Sequence, residues 1–233
     1  MGYKVMASTL PLLQKSLTER ESSSSGRSSP CKTPLLRRLL ICFVGTHDNG
    51  KTTLARDLEL KILEMGIDVE VSPEVARIVA AEGYPINEET TFNTQLRIAC
   101  KQLTQLQDYT RLARVVISDR FHDNAAYTQH ASIQGRILQA EVEMIEDINW
   151  AMIHLFRDNM RLFYLEPLER ENVTDDGLRS ASLEYRDKID EYIRNYNEYL
   201  RIPCTNVPPG TRKERLDFML RELRDELRML RDE

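Results

Sequence analysis

The 233-residue sequence predicts an α/β fold built on a parallel sheet, and three adjoining stretches predict it. Leu39, Leu40, Ile41, Cys42, Phe43 and Val44 form an unbroken apolar run, the pattern of a strand buried on both faces. Gly45, Thr46, His47, Asp48, Asn49, Gly50, Lys51, Thr52 and Thr53 satisfy G-x-x-x-x-G-K-[ST] with one further Thr. Leu54, Leu58, Ile62 and Met65 then recur at helical spacing. Strand, glycine-rich loop and helix stand in the order a phosphate-binding loop requires, which sets the match apart from a chance hit to a short pattern.

Each residue type in that loop has a chemical reason. Gly45 and Gly50 let the backbone fold tightly enough to turn successive N–H groups inward on phosphate oxygens. Lys51 supplies a mobile cation for the β- and γ-phosphates, and the Thr52 hydroxyl suits Mg²⁺. The whole run from Gly45 to Thr53 is therefore the candidate nucleotide site. No Asn/Thr-Lys-x-Asp stretch of the kind that reads guanine follows it, which favours ATP over GTP.

Composition narrows the class. Hydrophobic residues at 41% and charged residues at 30% describe a soluble globular protein, and no run approaches the roughly 18 apolar residues that span a bilayer. One folded domain, residues 38–233, fits the length. Cys31, Cys42, Cys100 and Cys204 form no C-x-x-C pair and the four histidines are scattered, so neither a zinc site nor a disulfide framework is indicated. A reducing, cytoplasmic setting fits best. Residues 1–37 differ: Ser-rich, with six Lys/Arg against two Glu, they read as a disordered basic tail. The alternative is an organelle-targeting peptide, against which Glu19 and Glu21 count. With a net charge of −5, the chain lacks the basic face of a general nucleic-acid binder.

Further along, Asp68, Val69, Glu70 and Val71 predict a second strand stopped at Pro73. That puts Glu74 at the carboxyl edge of the sheet, where open α/β folds hold ligands; a carboxylate there orients a hydroxyl or takes its proton. Arg77 shares its helix face, and the bland reading of Glu74 is an acid complementing a helix dipole. Phe92, Leu96, Ala99, Leu103, Leu106 and Ala113 predict a long amphipathic helix between 88 and 114. It carries Gln95 and Gln102, which either read the edge of a base in a pocket or are solvated.

Val115, Val116 and Ile117 form a third strand leading to Asp119 and Arg120. Asp119 is placed to hold Mg²⁺ and Arg120 to meet a phosphoryl group, unless the two are a surface pair. Phe121, His122 and Tyr127 are candidate walls of an acceptor pocket, although a helix packed against the core would use the same residues. A helix over 134–157, with Ile137, Val142, Ile145, Ile148, Met152 and Phe156 buried, precedes a fourth strand at 161–165. The polar stretch 169–180 carries a turn signal at Asp176 and Gly177 and reads as a loop. A helix over 183–200 brings Arg186 beside it, so Arg170, Arg179 and Arg186 are candidate flap cations that close over phosphates. A fifth strand at 205–207 and a last helix over 211–230 complete the chain. The leucine stripe of that helix is read as core, with a homodimer seam as the alternative.

With Glu74, Val75, Ala76 and Arg77 after the second strand, Ser118, Asp119 and Arg120 after the third, and Asp176, Gly177, Leu178 and Arg179 after the fourth, the chain resembles the P-loop nucleoside-kinase-like AAA ATPase group. That group includes the ribosylnicotinamide kinase domain of the bacterial NAD regulator, and the resemblance covers residues 38–230. It implies a three-layer P-loop NTPase sandwich, a parallel five-stranded sheet in order 2-3-1-4-5 and a helical lid after the fourth strand. It also implies ATP and Mg²⁺ as cofactors, with Lys51 and Thr52 on the phosphates and metal, Glu74 facing the acceptor hydroxyl, Asp119 the metal or acceptor, and Arg179 the phosphates. Phosphoryl transfer to a small nucleoside-like acceptor is the leading expectation. Its rival is a nucleotide-binding switch or NTPase module acting through protein or lipid partners.

Overall fold

The computed structural model describes residues 38–47, 49–168 and 182–232. The tail over 1–37, Asp48, and the flap calls on Arg170 and Arg179 lie outside the described residues.

Five strands, β1 Leu39–Val44, β2 Val69–Ser72, β3 Val115–Ser118, β4 Met160–Leu165 and β5 Cys204–Val207, form one sheet in the order β2-β3-β1-β4-β5. All four pairings are parallel, the arrangement that the resemblance implies. The helices are α1 Lys51–Glu64, α2 Val75–Ala81, α3 Phe92–Leu112, α4 Asn124–Ile133, α5 Gln139–Phe156, α6 Leu183–Leu200, α7 Arg212–Glu222 and α8 Arg224–Arg231.

The period-2 alternation of a strand divides β1 between two cores. Leu39, Ile41 and Phe43 pack with Leu54 and Leu58 of α1 and with Met219 and Leu227 from the C-terminal helices. Leu40, Cys42 and Val44 face Leu106 of α3, Met152 of α5 and Ile189 of α6 on the other side. Both faces of β1 are thus dry, which explains why its sequence is continuously apolar rather than alternating.

Several elements differ from the sequence reading. Met65 is exposed at 38% and caps α1 rather than packing. The helix expected over 134–157 begins at Gln139; Ile137 is buried but precedes it, and a separate α4 lies before it. On α3 the buried face is Thr94, Gln95, Ile98, Ala99, Gln102 and Leu106, so Phe92, Leu96 and Leu103 sit at its margins. The final helix bends at Leu223 into α7 and α8, which keeps Met219, Leu223, Leu227 and Leu230 all on the sheet. That stripe is spent on the core. Among the described residues no helix is long and apolar enough to cross a membrane.

Candidate active site

The carboxyl edge of the sheet gathers what the sequence singled out. Because β1 lies between β3 and β4, the turn after β1 meets the ends of both neighbours. Gly45 has φ +146°, and a Cβ there would stand 2.4 Å from the Asn49 amide and 2.8 Å from the Leu165 carbonyl, so only glycine fits. Gly50, at φ 76°, caps α1 without a side chain, and the first turn of α1 contains no acid. The first N–H groups of α1 and its positive dipole end are thereby left for an anion.

Lys51 is buried. Its ammonium donates to the carbonyls of Gly45, at 2.7 Å, and Thr46, and to Asn49 Oδ1 at 2.9 Å. Burial and the neighbouring Arg120 push its pKa down to about 7, against the pull of Asp123, Asp119 and Glu74. A triphosphate would restore the charged form. Thr52 donates its hydroxyl to Asp119 Oδ2 at 2.6 Å. Burial and the Glu74 carboxylate raise the pKa of Asp119. A hydroxyl and a carboxylate side by side under a phosphate loop are oxygen donors of the kind Mg²⁺ takes, so the residues present fit that ion. Thr53 is exposed.

Glu74 caps α2 and stands between two arginines. Oε2 accepts from Arg77 Nε at 3.0 Å and Oε1 from Arg120 Nε at 2.8 Å. Burial opposes its charge, yet Arg120, Lys51 and Arg77 outweigh burial and hold its carboxyl at about 2. Arg120 is no surface partner of Asp119. Its Nη1 donates to Asp123 at 3.1 Å and to the Gly45 carbonyl at 3.2 Å, and its guanidinium lies 5.9 Å from the centre of the Tyr127 ring.

Helix α3 holds these groups in place with glutamines. Gln102 Nε2 donates to Ser118 Oγ at 3.1 Å and to the Arg120 carbonyl at 2.8 Å, fixing the turn after β3. Gln105 does the same for the end of β2, donating to Ser72 Oγ at 2.7 Å and to the Pro73 carbonyl at 2.8 Å. The solvated reading of Gln95 and Gln102 is therefore wrong: both are buried. Gln95 donates to Thr90 Oγ1 at 2.7 Å, and its buried Oε1 has no hydrogen-bond partner among the described residues.

A cleft, partly open to solvent, lies between α2, α3 and α4. Glu74, Arg77 and Arg120 line its charged end, beside His47 of the phosphate loop; Val75, Ile98, Phe121 and Tyr127 give apolar walls; Gln95 and Asn124 add amides. Phe121 and Tyr127 thus stand where the sequence put them. His122 does not line the cleft. It is buried behind it against Phe121 and Tyr196, and burial pushes its pKa down to about 3.

Arg186 is buried on the first turn of α6. It donates from Nη2 to the Leu168 carbonyl at 3.1 Å, and its own carbonyl accepts from Thr46 Oγ1 at 3.4 Å, so it borders the loop. Two residues of the site escaped the sequence reading. Asp123 accepts from the Gly45 N–H at 3.3 Å and from Arg120, and its spacing of three from Arg120 was the signal. Arg215 continues the i, i+4 series of Met219, Leu223 and Leu227, a charge at a core position.

A parallel sheet in this order, with a glycine loop and lysine at the end of its central strand and an acid on the next, defines a P-loop NTPase of kinase-like architecture. Residues 40–215 match the AAA domain family, and the chain belongs to it. No curated protein matches the chain. Among solved structures, a NadR protein in complex with NAD and AMP-PNP is similar at TM-score 0.60 and 15% identity, covering 79% of this chain and 49% of its own. NadR in complex with NR gives TM-score 0.61 and 18% identity, over 79% and 51%. The chain therefore spans about half the length of these two. The deoxyadenosine kinase from M. mycoides, with products dCMP and a flexible dCDP bound, gives TM-score 0.57 and 14% identity, over 80% of this chain and all of its own. Thymidylate kinase from Candida albicans gives 0.53 and 15%, over 82% and 92%. At these identities the likeness is one of fold.

Proposed function

We propose that this chain transfers the γ-phosphoryl group of ATP to a hydroxyl of a small nucleoside-like acceptor held in the cleft between α2, α3 and α4. The observation that carries the reading is that Glu74 and Arg120, which line the charged end of a cleft whose other walls are aromatic, aliphatic and amide, also interact with Lys51 of the phosphate loop. Phosphoryl transfer asks the protein for position and charge more than for covalent chemistry. Lys51 would leave its carbonyl partners for the β- and γ-phosphates, and the N–H groups at the start of α1 would cradle them. Mg²⁺, held through Thr52 and Asp119, would supply charge neutralisation on the phosphates when bound.

Glu74 has a narrower role than a strong base. A carboxyl held at about 2 keeps little affinity for a proton. It serves as an acceptor that orients the hydroxyl, which suits a loose transition state that makes small demands on proton removal. Arg120, locked by Glu74 and Asp123, places a fixed cation between the loop and the cleft, where charge develops. The role assigned to Arg179 over the phosphates rests on the family resemblance, and that of Arg186 on the reading of residues 169–186 as a flap.

The test is single-turnover transfer from ATP across a panel of ribosides and deoxyribosides that includes ribosylnicotinamide, alongside equilibrium binding of ATP and GTP. Lys51→Ala should abolish ATP binding or turnover with the circular dichroism spectrum unchanged. Tight GTP binding without turnover stimulated by any acceptor would instead favour the nucleotide switch.

A further inference from the structure

The phosphate loop is held from below by a side chain that lies far from it in sequence. Arg215, on the first turn of α7, is 4% exposed. Its Nη1 donates to the Asn49 carbonyl at 2.6 Å and its Nη2 to the Glu166 carbonyl at 3.2 Å. Asn49 is itself the centre of the loop. Its Nδ2 donates to the Leu165 carbonyl at 2.8 Å, and its Oδ1 accepts from Lys51 Nζ at 2.9 Å. It also fills the space that a Cβ on Gly45 would need. A Cβ on Gly50 would lie 3.7 Å from Arg215 Nη1, so the guanidinium passes directly under the second glycine as well.

Two features set this apart from ordinary packing. Arg215 meets two main-chain carbonyls and no ion-pairing carboxylate among the described residues, and its Nε is buried without a partner. Burying a guanidinium is costly, and among the described residues it is the Glu166 carboxylate, without an ion pair, that favours its charge. A polyanion in the loop above it would add to that attraction. Burial lowers its pKa to about 10, so it stays charged at neutral pH.

We propose that Arg215 is a positioning residue for the nucleotide site: it fixes Asn49, and through Asn49 the glycine turn and Lys51, in the shape that receives a triphosphate. This rests on the phosphate-loop reading of residues 45–53. It ties nucleotide affinity to the helix that follows β5, an element that itself contributes none of the loop's own N–H donors.

The experiment compares Arg215→Met and Arg215→Lys with Met219→Ala, a core truncation one turn along the same helix. ATP affinity in magnesium buffer, amide hydrogen exchange of residues 45–53 in the unliganded protein, and melting temperature are read for each. Arg215→Met should weaken ATP binding about 10- to 100-fold, the loss of charge-assisted hydrogen bonds, and speed exchange in the loop. Arg215→Lys should recover part of both. Met219→Ala should lower the melting temperature yet leave affinity within about twofold of the parent, since it lies outside the contact chain. Unchanged loop exchange and affinity in the Arg215 variants, or an equal loss in Met219→Ala, overturns the proposal. If the Met variant does not fold, the Lys variant decides by the same readings. Should the native protein bind no ATP, the phosphate-loop reading fails separately, and loop exchange alone decides whether Arg215 positions the turn.

Discussion

Gly45 and Glu74 show how much rests on single side chains here. Alanine at position 45 would have to adopt φ +146° with its methyl 2.4 Å from Asn49 Nδ2 and 2.8 Å from a main-chain oxygen. Gly45→Ala should therefore disturb the Asn49 amide and its bond to Lys51, lowering ATP affinity at least about tenfold and destabilising the fold by the 1–3 kcal/mol of a strained backbone; calorimetric titration and thermal melts measure both. Glu74→Gln tests a different quantity. Removing a charge that Arg77 and Arg120 share should cut acceptor phosphorylation about 100-fold, the low end for a general base, because the group orients more than it deprotonates. ATP binding should persist, and single-turnover transfer beside ATP titration reads the two apart. At this scale the loop was legible from its motif, and Glu74 and Asp119 were placed by the strand ends they follow, with their roles drawn from the family resemblance. Asp123 and Arg215 were not, since their roles come from contacts to the Gly45 N–H and the Asn49 carbonyl, and no local pattern encodes those partners.

Among the elements, α5 carries a group that makes stability depend on pH. Burial, then Glu143 and Asp147, raise the Glu146 carboxyl to about 7. A folded pKa above the unfolded value means that the native state binds more protons between the two. Stability from this group is thus full below pH 4.5 and is lost as pH rises to about 7. Glu146→Gln, neutral throughout, should match the parent in melting temperature near pH 4 and exceed it increasingly up to pH 7, with a constant gap above; a parallel curve at all pH values would remove the assignment. Strand β1 was readable as an unbroken apolar run, and α6 was placed at its bounds of 183–200. Helix α3 shows the limit. Its buried face includes Gln95 and Gln102, so a count of apolar residues rotates the face away from the glutamines that secure the site. Helix α4 entered only as the alternative at Phe121, His122 and Tyr127, because Asn124, Thr128 and His130 are buried polar residues and blur any amphipathic pattern.

At the scale of the whole molecule, the two main apolar cores of the described residues lie on the two faces of one sheet. We expect deletion of residues 1–37, Ser-rich and with six Lys/Arg against two Glu, to leave the melting temperature and ATP binding nearly unchanged; differential scanning calorimetry of the shortened chain checks this. Relocation of that chain in cells with activity retained would identify the tail as a targeting segment. The central place of β1 has a kinetic consequence. Leu39 pairs with Val115 and Leu40 with Met160, so the strand that carries the phosphate loop has no partner close in sequence. Such parallel pairings must wait for distant chain segments to meet, which makes folding slow. The loop reaches its working shape only once both flanking strands have docked, late in the search. ATP is therefore expected to leave the refolding rate unchanged and to slow unfolding, which stopped-flow kinetics with and without the nucleotide would read.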